Sequence, residues 1–321
     1  MNKITKLKGG SLNSTCLHQT DNKIFVRKSI RTDADREYGY VRWYSQLKKL
    51  QRYNEMFPGL FPEIYDVNTT EYGTYFDIEY IDAVDIKTLF KKDILSTEQV
   101  KDLHLALWES FDTIHSHTYQ YNKNSLNLYF KEEVEQKLFD ARKFTEFDTF
   151  FNIDHYDFCG EKIDGIKNIY ERFQKLFDIQ IDEECYVHGN PTLENILYNK
   201  EDKKIVFIDL YEEGIVDSKY MDYSQVLQCS NSLYGLINDK DKTIEGNYLN
   251  IEITIPNNLS DFDNLFNQEL LNRYNNKKYF LIKLFEATQF FRMLPFKCHG
   301  GDFAGAKFFY VHACKLIRKL L

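Results

Sequence analysis

No uninterrupted apolar run in this 321-residue sequence approaches the roughly 18 residues that a membrane-spanning helix requires. The opening MNKITKLKGG has no apolar stretch of the kind an export signal carries. Neither a membrane span nor export is expected, and the chain reads as cytoplasmic. Cysteine is scarce and unpaired. Cys16, Cys159, Cys185, Cys229, Cys298 and Cys314 stand singly, with no CxxC pair and no His/Cys ligand spacing. That pattern argues against a disulfide framework and a zinc site, and fits neutral or buried thiols in a reducing compartment. A basic excess is also missing. The 49 acidic and 41 basic residues leave a net charge of -8, whereas a general polyanion binder is expected to be basic, so nucleic acid is not an expected partner. Internal repeats and low-complexity linkers are absent from the sequence as well.

What is present describes a soluble globular chain. Hydrophobic residues make up 43% and charged residues 28%, and the length suits two domains. The 26 Phe and 23 Tyr, with many Lys, Asn and Ile, suggest an AT-rich, bacterial coding sequence. That concerns codon supply and carries no chemistry.

Residues 1–80 read as a small β-rich domain. Lys3–Leu7, Cys16–Gln19 and Lys23–Ile30 are expected strands. Between the first two lies a glycine-rich turn with Gly9, Gly10, Ser11, Asn13 and Ser14. Small residues there let backbone N–H groups approach a phosphate closely, although a hairpin with a Gly-Gly bulge has the same composition. No GKS or GKT follows, so this is not a P-loop. Arg27 and Lys28 end the third strand, where a cation can reach a nucleotide's phosphates. Strand alternation sends them to opposite faces, and the sequence leaves open which one faces a cleft. A helix over 33–53 follows, with Tyr40, Trp43, Tyr44, Leu47 and Leu50 as its apolar face. Glu37 on its first turns is either a partner for the strand cation or an exposed carboxylate. Ile64–Asn68 and Thr74–Ile81 are two further strands, and Glu79–Val84 is the expected hinge.

Residues 81–321 read as mainly helical. Helices are expected over 97–117, 127–147, 163–178, 220–234, 261–274, 277–294 and 304–321, with 248–255 strand-like or looped. His115 and His117 lie two apart and cannot share a metal from a regular helix, so they read as capping or solvent-facing residues. The basic amphipathic tail reads as a docked terminal helix rather than a membrane-surface one.

The chemistry concentrates in YVHGNPTLENILYNKEDKKIVFIDLYEEG, Tyr186 to Gly214. It reads as a short strand, a loop, a tight hairpin and a second strand. Transfer of a nucleotide's γ-phosphoryl group needs oxygen ligands for Mg2+, a group that orients the acceptor hydroxyl, and a frame for both. Asn195 offers an amide oxygen, and Asp209, ending the apolar run Ile205–Ile208, offers a carboxylate. Both are hard ligands that suit Mg2+. The turn-rich 199–204 segment keeps the two close. His188 reads as a frame residue that hydrogen-bonds loop backbone.

HGNPTLENIL followed by IDLYEEG resembles the paired motifs of the aminoglycoside phosphotransferase and choline kinase family, whose pattern is HGDxxxxNIL and then IDxxxxG. The match falls on His188, Gly189, Asn195, Ile196, Leu197, Ile208, Asp209 and Gly214. Gly214 to Asp217 with Tyr220 to Asp222 resembles the family's GxxDxxYxD continuation. Specific motifs occupy 186–222 only, while the order of elements agrees over 5–225. The resemblance implies an α+β, protein-kinase-like two-lobe fold, with a small β-rich N-lobe (1–80) and a larger, mainly helical C-lobe (81–321). It implies an ATP- and Mg2+-dependent phosphotransferase acting on a small-molecule hydroxyl. In that reading Asn195 and Asp209 bind Mg2+. Arg27 or Lys28, held by Glu37, contacts the α- and β-phosphates. Backbone groups near Glu79 and Ile81 meet the adenine, and the Gly9–Thr15 loop covers the phosphates.

One position departs from the family. Its catalytic-loop Asp, which accepts or orients the proton of the attacking hydroxyl, is Asn190 here. An amide can hydrogen-bond the hydroxyl and cannot take its proton. Three explanations stand: an introduced inactivating substitution, a natural and slower or differently assisted kinase, and a pseudokinase that binds nucleotide or a partner without turnover. Transfer of a nucleotidyl group is a further option. Glu194, Glu212, Glu213, Asp217 and Asp222 crowd the stretch. Acidic linings suit a cationic acceptor such as an aminoglycoside or choline, while solvated or loop-bracing carboxylates look the same in sequence. Pro191-Thr192 and the aromatic richness also resemble small kinases found with bacterial surface-polysaccharide genes, which implies a sugar or choline-like alcohol.

Overall fold

A computed structural model describes residues 3–7, 13–30, 36–70, 73–119, 125–179, 181, 184–211 and 214–321. It is α+β, with a β-sheet region first and helices dominating the remainder, as the resemblance implied. Contacts divide it into two compact units. One comprises Met1–Leu89, Leu105–Ile114 and His188–Gly214; the other comprises Phe90–His104, His115–Val187 and Ile215–Leu321. From the sequence one boundary is expected, at residue 80. The contacts instead group the 188–214 stretch with the N-terminal sheet.

In the first unit, β1 (Lys3–Lys6), β2 (Asn13–Gln19), β3 (Ile24–Ile30), β4 (Ile64–Thr70) and β5 (Gly73–Glu79) form an antiparallel sheet ordered β1-β2-β3-β5-β4. Period-2 alternation separates its faces. Lys28 lies opposite Phe76, and Arg27 opposite Asp77. Helix α1 (Arg36–Met56) follows β3. Its buried large apolar residues are Trp43, Leu47, Leu50 and Tyr53, at the three-to-four spacing of one face. Trp43 packs its ring on Phe76 at 5.4 Å and donates from Nε1 to Lys28 O at 3.2 Å. Tyr40 and Tyr44, expected on that face, are exposed; they sit a fraction of a turn outside the stripe centred on Trp43 and Leu50. Pro58 and a left-handed Gly59 (φ 80°) follow the helix.

A second, three-stranded sheet joins β6 (Val84–Asp85) to the hairpin of Ile196–Asn199 and Lys204–Phe207, all antiparallel. The hairpin turn is held by Asn199 Oδ1, which accepts from Glu201 N at 2.9 Å and Asp202 N at 3.3 Å, the local bonding that makes Asn a turn residue.

The second unit is built on three helices, Lys219–Ser230, Asn276–Arg292 and Phe303–Arg318. The last is docked as expected, with Phe308, Phe309, Tyr310, Val311, Cys314 and Ile317 buried. Two expectations fail in this unit. The 127–147 helix is three pieces, Ser125–Tyr129, a π-helical turn Phe130–Glu135 and Gln136–Arg142, followed by a separate helix from Thr145. The 163–178 helix starts only at Ile166, because Glu161–Asp164 pairs with His155–Phe158 in a four-stranded sheet with Tyr248–Asn250 and Thr243–Glu245. His115 is buried, with Nε2 3.0 Å from Asp222 Oδ2, while His117 is exposed. A solvent-facing or capping role therefore holds for only one of the pair.

His312 makes a stability prediction. Its two ring nitrogens are shielded from solvent, and its ring lies 4.8 Å from that of Phe290. Burial, reinforced by the Lys315 and Lys319 charges, pushes its pKa down to about 3. The unfolded chain takes up this proton near pH 6.5 and the folded chain resists it. Stability should therefore be full above pH 6.5 and fall as the pH drops toward the folded value. Between pH 7 and 5 the loss should be about 2 kcal/mol. Urea unfolding of wild type and His312→Phe at both pH values should show this part of the pH slope removed in the variant.

Candidate active site

Every described residue of the candidate site belongs to the first unit. The hairpin register sets Ile196 opposite Phe207, so Asn195 and Ile208 extend its open end, and Ile208 N donates to Asn195 O at 2.9 Å. Asp209 follows directly. Its φ of 58° is left-handed, a conformation non-glycine residues hold only when the surroundings fix it.

His188 organises the loop. It is fully buried, with its ring near Phe207 (5.3 Å) and Phe61 (6.4 Å). Asn190 N donates to its Nδ1 at 3.1 Å, so the ring proton sits on Nε2, which donates to Ile208 O at 2.9 Å. One imidazole thus ties the loop at Asn190 to the strand end that carries Asp209. Gly189, at φ 86°, makes the turn between His188 and Asn190 in a conformation that favours glycine. Asn190 O accepts from Thr192 N at 2.9 Å and from Asn195 Nδ2 at 2.9 Å. The Asn195 nitrogen is therefore engaged. Its Oδ1 takes no hydrogen bond among the described residues, and the same holds for the Asn190 side chain.

Alternation on β3 separates the two cations. Arg27 donates to Asp77 from Nε at 2.7 Å and Nη2 at 2.8 Å, and lies 3.6 Å over the Tyr75 ring. Lys28, on the other face, places Nζ 2.7 Å from Asp209 Oδ1. That ammonium holds the Asp209 carboxyl below the usual carboxylate range, against the opposing effect of burial. The Lys28 side chain is 12% exposed and the Asp209 side chain 45%. The shallow pocket they edge is also lined by Gln46 and by apolar residues that include Leu50, Phe76 and Ile78.

The α1 residue against Lys28 is Gln46, which the sequence reading passed over. Gln46 Oε1 accepts from Lys28 Nζ at 3.2 Å, and its Nε2 donates to Asp209 Oδ1 at 3.1 Å and Leu210 O at 2.7 Å. Glu37, the expected partner, has a side chain outside the described residues. A signal was present: Gln46 is three residues after Trp43 and four before Leu50, a polar residue inside an apolar stripe.

The remaining expected residues divide. Gly9, Gly10 and Ser11 lie outside the described residues, while Asn13 and Ser14 open β2 opposite Ile30 and Ser29. In the expected hinge, Glu79 N donates to Glu63 O at 2.8 Å and Ala83 N donates to Ile81 O at 3.0 Å. Of the crowded acids, Glu194 pairs with Lys87 at 3.0 Å, Asp217 accepts from Tyr119 OH at 3.0 Å, and Asp222 is the buried partner of His115. Glu212 and Glu213 lie outside the described residues. Among the described residues no cluster of three or more His, Cys, Asp or Glu side chains could hold a metal. Ile208 N donates to Asn195 O, which brings the backbone of Asn195 next to the strand end that carries Asp209; Asn195 Oδ1 and Asp209 Oδ2 are hard oxygens of the kind that suit Mg2+, with phosphate and water completing its shell.

No protein-family model matches the sequence, and no curated protein sequence matches it. Solved structures do. A mutant of aminoglycoside 2'-phosphotransferase-IIIa, solved with GDP, superposes at a TM-score of 0.56 and 12% identity, over 99% of this chain and 91% of that one. Spectinomycin phosphotransferase APH(9)-Ia, solved with ADP and spectinomycin, superposes at 0.54 and 11% identity, over 99% and 93%. At these identities the likeness concerns the fold: the chain folds as the aminoglycoside phosphotransferases do.

Proposed function

We propose that the chain is a nucleotide-dependent phosphotransferase for the hydroxyl of a small molecule, a cytoplasmic kinase whose proton-accepting position is filled by an amide. The observation that carries this reading is the Lys28–Asp209 pair at 2.7 Å, with Asn195 hydrogen-bonded into the same loop. A cation held against a carboxylate, on a fold shared with phosphotransferases, supports a phosphate-binding role for Lys28 and a metal-binding role for Asn195 and Asp209. ATP is the expected donor. Asn195 Oδ1 and Asp209 Oδ2 would hold Mg2+, which would neutralise charge on the phosphate oxygens.

The chain's own residues then divide the work. Lys28 contacts the α- and β-phosphates. His188 fixes the loop. The Asn190 amide oxygen accepts a hydrogen bond from the acceptor hydroxyl and orients it. The acceptor oxygen bonds to the γ-phosphorus as the bond to the ADP oxygen breaks. The hydroxyl proton leaves to the transferred phosphoryl group or to water, because Asn190 cannot take it. Positioning and electrostatics dominate a loose phosphoryl transition state, so this arrangement supports slow transfer. A second reading, binding of nucleotide without turnover, is favoured by Asn190 alone.

The acceptor class is a sugar, a choline-like alcohol or an aminoglycoside. The Glu194, Asp217 and Asp222 pairings weigh against a bare acidic lining. A screen of choline, ethanolamine, hexoses and aminoglycosides, following ADP release, tests the reading; no release with any acceptor, even after Asn190→Asp, would leave the binding reading.

The two cations give a separate test. Lys28→Met should weaken nucleotide binding roughly 10- to 100-fold, the worth of a hydrogen bond to a charged group. Arg27→Met should leave nucleotide affinity nearly unchanged and lower folding stability by about 1–3 kcal/mol, since Asp77 loses a bidentate partner. Calorimetric titration and urea unfolding of both variants separate the two effects.

A further inference from the structure

Three polar groups from distant parts of the chain close a ring at the candidate site. Lys28 Nζ meets Asp209 Oδ1 (2.7 Å) and Gln46 Oε1 (3.2 Å), and Gln46 Nε2 meets the same Asp209 oxygen (3.1 Å). The amide orientation is fixed by its neighbours. Leu210 O can only accept, so the nitrogen faces it at 2.7 Å; Lys28 can only donate, so the oxygen faces the ammonium.

We propose that Gln46 is a positioning residue of this site: its amide holds the Asp209 carboxylate with Oδ1 given to the protein and Oδ2 left for a cation. The inference rests on the reading of Asn195 and Asp209 as the metal ligands. Three features of the ring carry it. Both protein hydrogen bonds to Asp209 end on Oδ1, and among the described residues Oδ2 takes none. The two Nε2 contacts, to the Asp209 side chain and to the next residue's carbonyl, bracket a residue whose left-handed backbone has to be held by its surroundings. Finally, Gln46 is the right chemical type. It accepts from an ammonium and donates to a carboxylate at once, which neither a carboxylate nor an amine of similar length does. A glutamate here would set like charges against each other at Asp209 Oδ1 and compete for Lys28. The uncharged bridge lets Lys28 stay with Asp209, and a carboxylate so oriented presents a single oxygen to the metal.

The test uses Mn2+ as a paramagnetic stand-in for Mg2+, with non-hydrolysable ATP and GTP analogues, on wild type, Gln46→Met, Gln46→Glu and Asp209→Asn. Circular dichroism checks that each is folded. Wild type should bind Mn2+ with a narrow electron paramagnetic resonance signal. Gln46→Met should bind it roughly 10-fold more weakly, the usual effect of losing a residue that orients a ligand. Its signal should broaden as the Asp209 carboxylate samples several orientations. Gln46→Glu keeps the acceptor for Lys28 and lacks the donor for Asp209, so it should broaden too, and it decides the question if the Met variant does not fold. Wild-type-like spectra and Mn2+ affinity in both Gln46 variants, with binding lost in Asp209→Asn, would overturn the role of Gln46 and leave the metal site standing. Absence of bound Mn2+ in wild type with either nucleotide would overturn the metal-site reading itself, and this inference with it.

Discussion

Asn190→Asp should raise phosphoryl transfer to an acceptor hydroxyl by roughly 10²- to 10⁴-fold, the usual contribution of a positioned general base. The frame for that base is already built. Asn190 is fixed through its backbone, its N–H to His188 Nδ1 and its carbonyl to Thr192 N and Asn195 Nδ2. Its side chain makes no hydrogen bond among the described residues, so the near-isosteric change removes no described contact. Melting temperature should therefore hardly move while turnover rises. Initial rates of ADP release with a responsive alcohol, measured on both forms, check this. Equal rates would mean that proton removal does not limit this site, or that the chain binds nucleotide without transferring phosphate.

His188→Ala should cost about 3–5 kcal/mol of folding stability, from the cavity it leaves and the buried groups it strips of partners. Asn190 N and Ile208 O would both lose their imidazole partner, and the space beside Phe61 and Phe207 would empty. His188→Phe fills that space and loses only the hydrogen bonds, so it should cost about 1–3 kcal/mol. Both variants should also weaken metal-dependent nucleotide binding, because the imidazole links the loop to the strand end that places Asp209. Urea unfolding of the two variants against wild type separates packing from hydrogen bonding. A His188→Ala chain as stable as wild type would remove His188 from the frame.

Local features of the chain were legible and distant pairings were not. His188, Asn190, Asn195 and Asp209 lie within one loop and hairpin, whose short apolar strands and polar turn opened by Asn199 specify themselves, so the sequence alone places them together. The β3 alternation correctly separated Arg27 from Lys28, yet only the sheet's pairing decides which face is which: Asp77 claims Arg27, and Lys28 is left for Asp209. Gln46 reaches Asp209 across 163 residues of sequence, and nothing in periodicity reports such a contact beyond its polar character in an apolar stripe. The sheet that delays the start of the expected 163–178 helix to Ile166 is in part non-local, since Tyr248 and Leu249 pair in parallel with Asp157 and Phe158. His115 was misjudged for the same reason; its partner Asp222 lies 107 residues away. The acids that looked like a substrate lining in sequence, Glu194, Asp217 and Asp222, each have a specific partner once the chain is folded.

The measurement that bears most directly on the account is a thermal-shift titration of the chain with ATP in Mg2+ and in EDTA, repeated on Asp209→Asn. Binding to the folded state raises the melting temperature in proportion to its free energy. Wild type should melt higher with ATP and Mg2+ than with ATP in EDTA, and Asp209→Asn should lose the Mg2+-dependent part. No shift in wild type under either condition, or a shift that Asp209→Asn leaves intact, would contradict a nucleotide–metal site at Asn195 and Asp209.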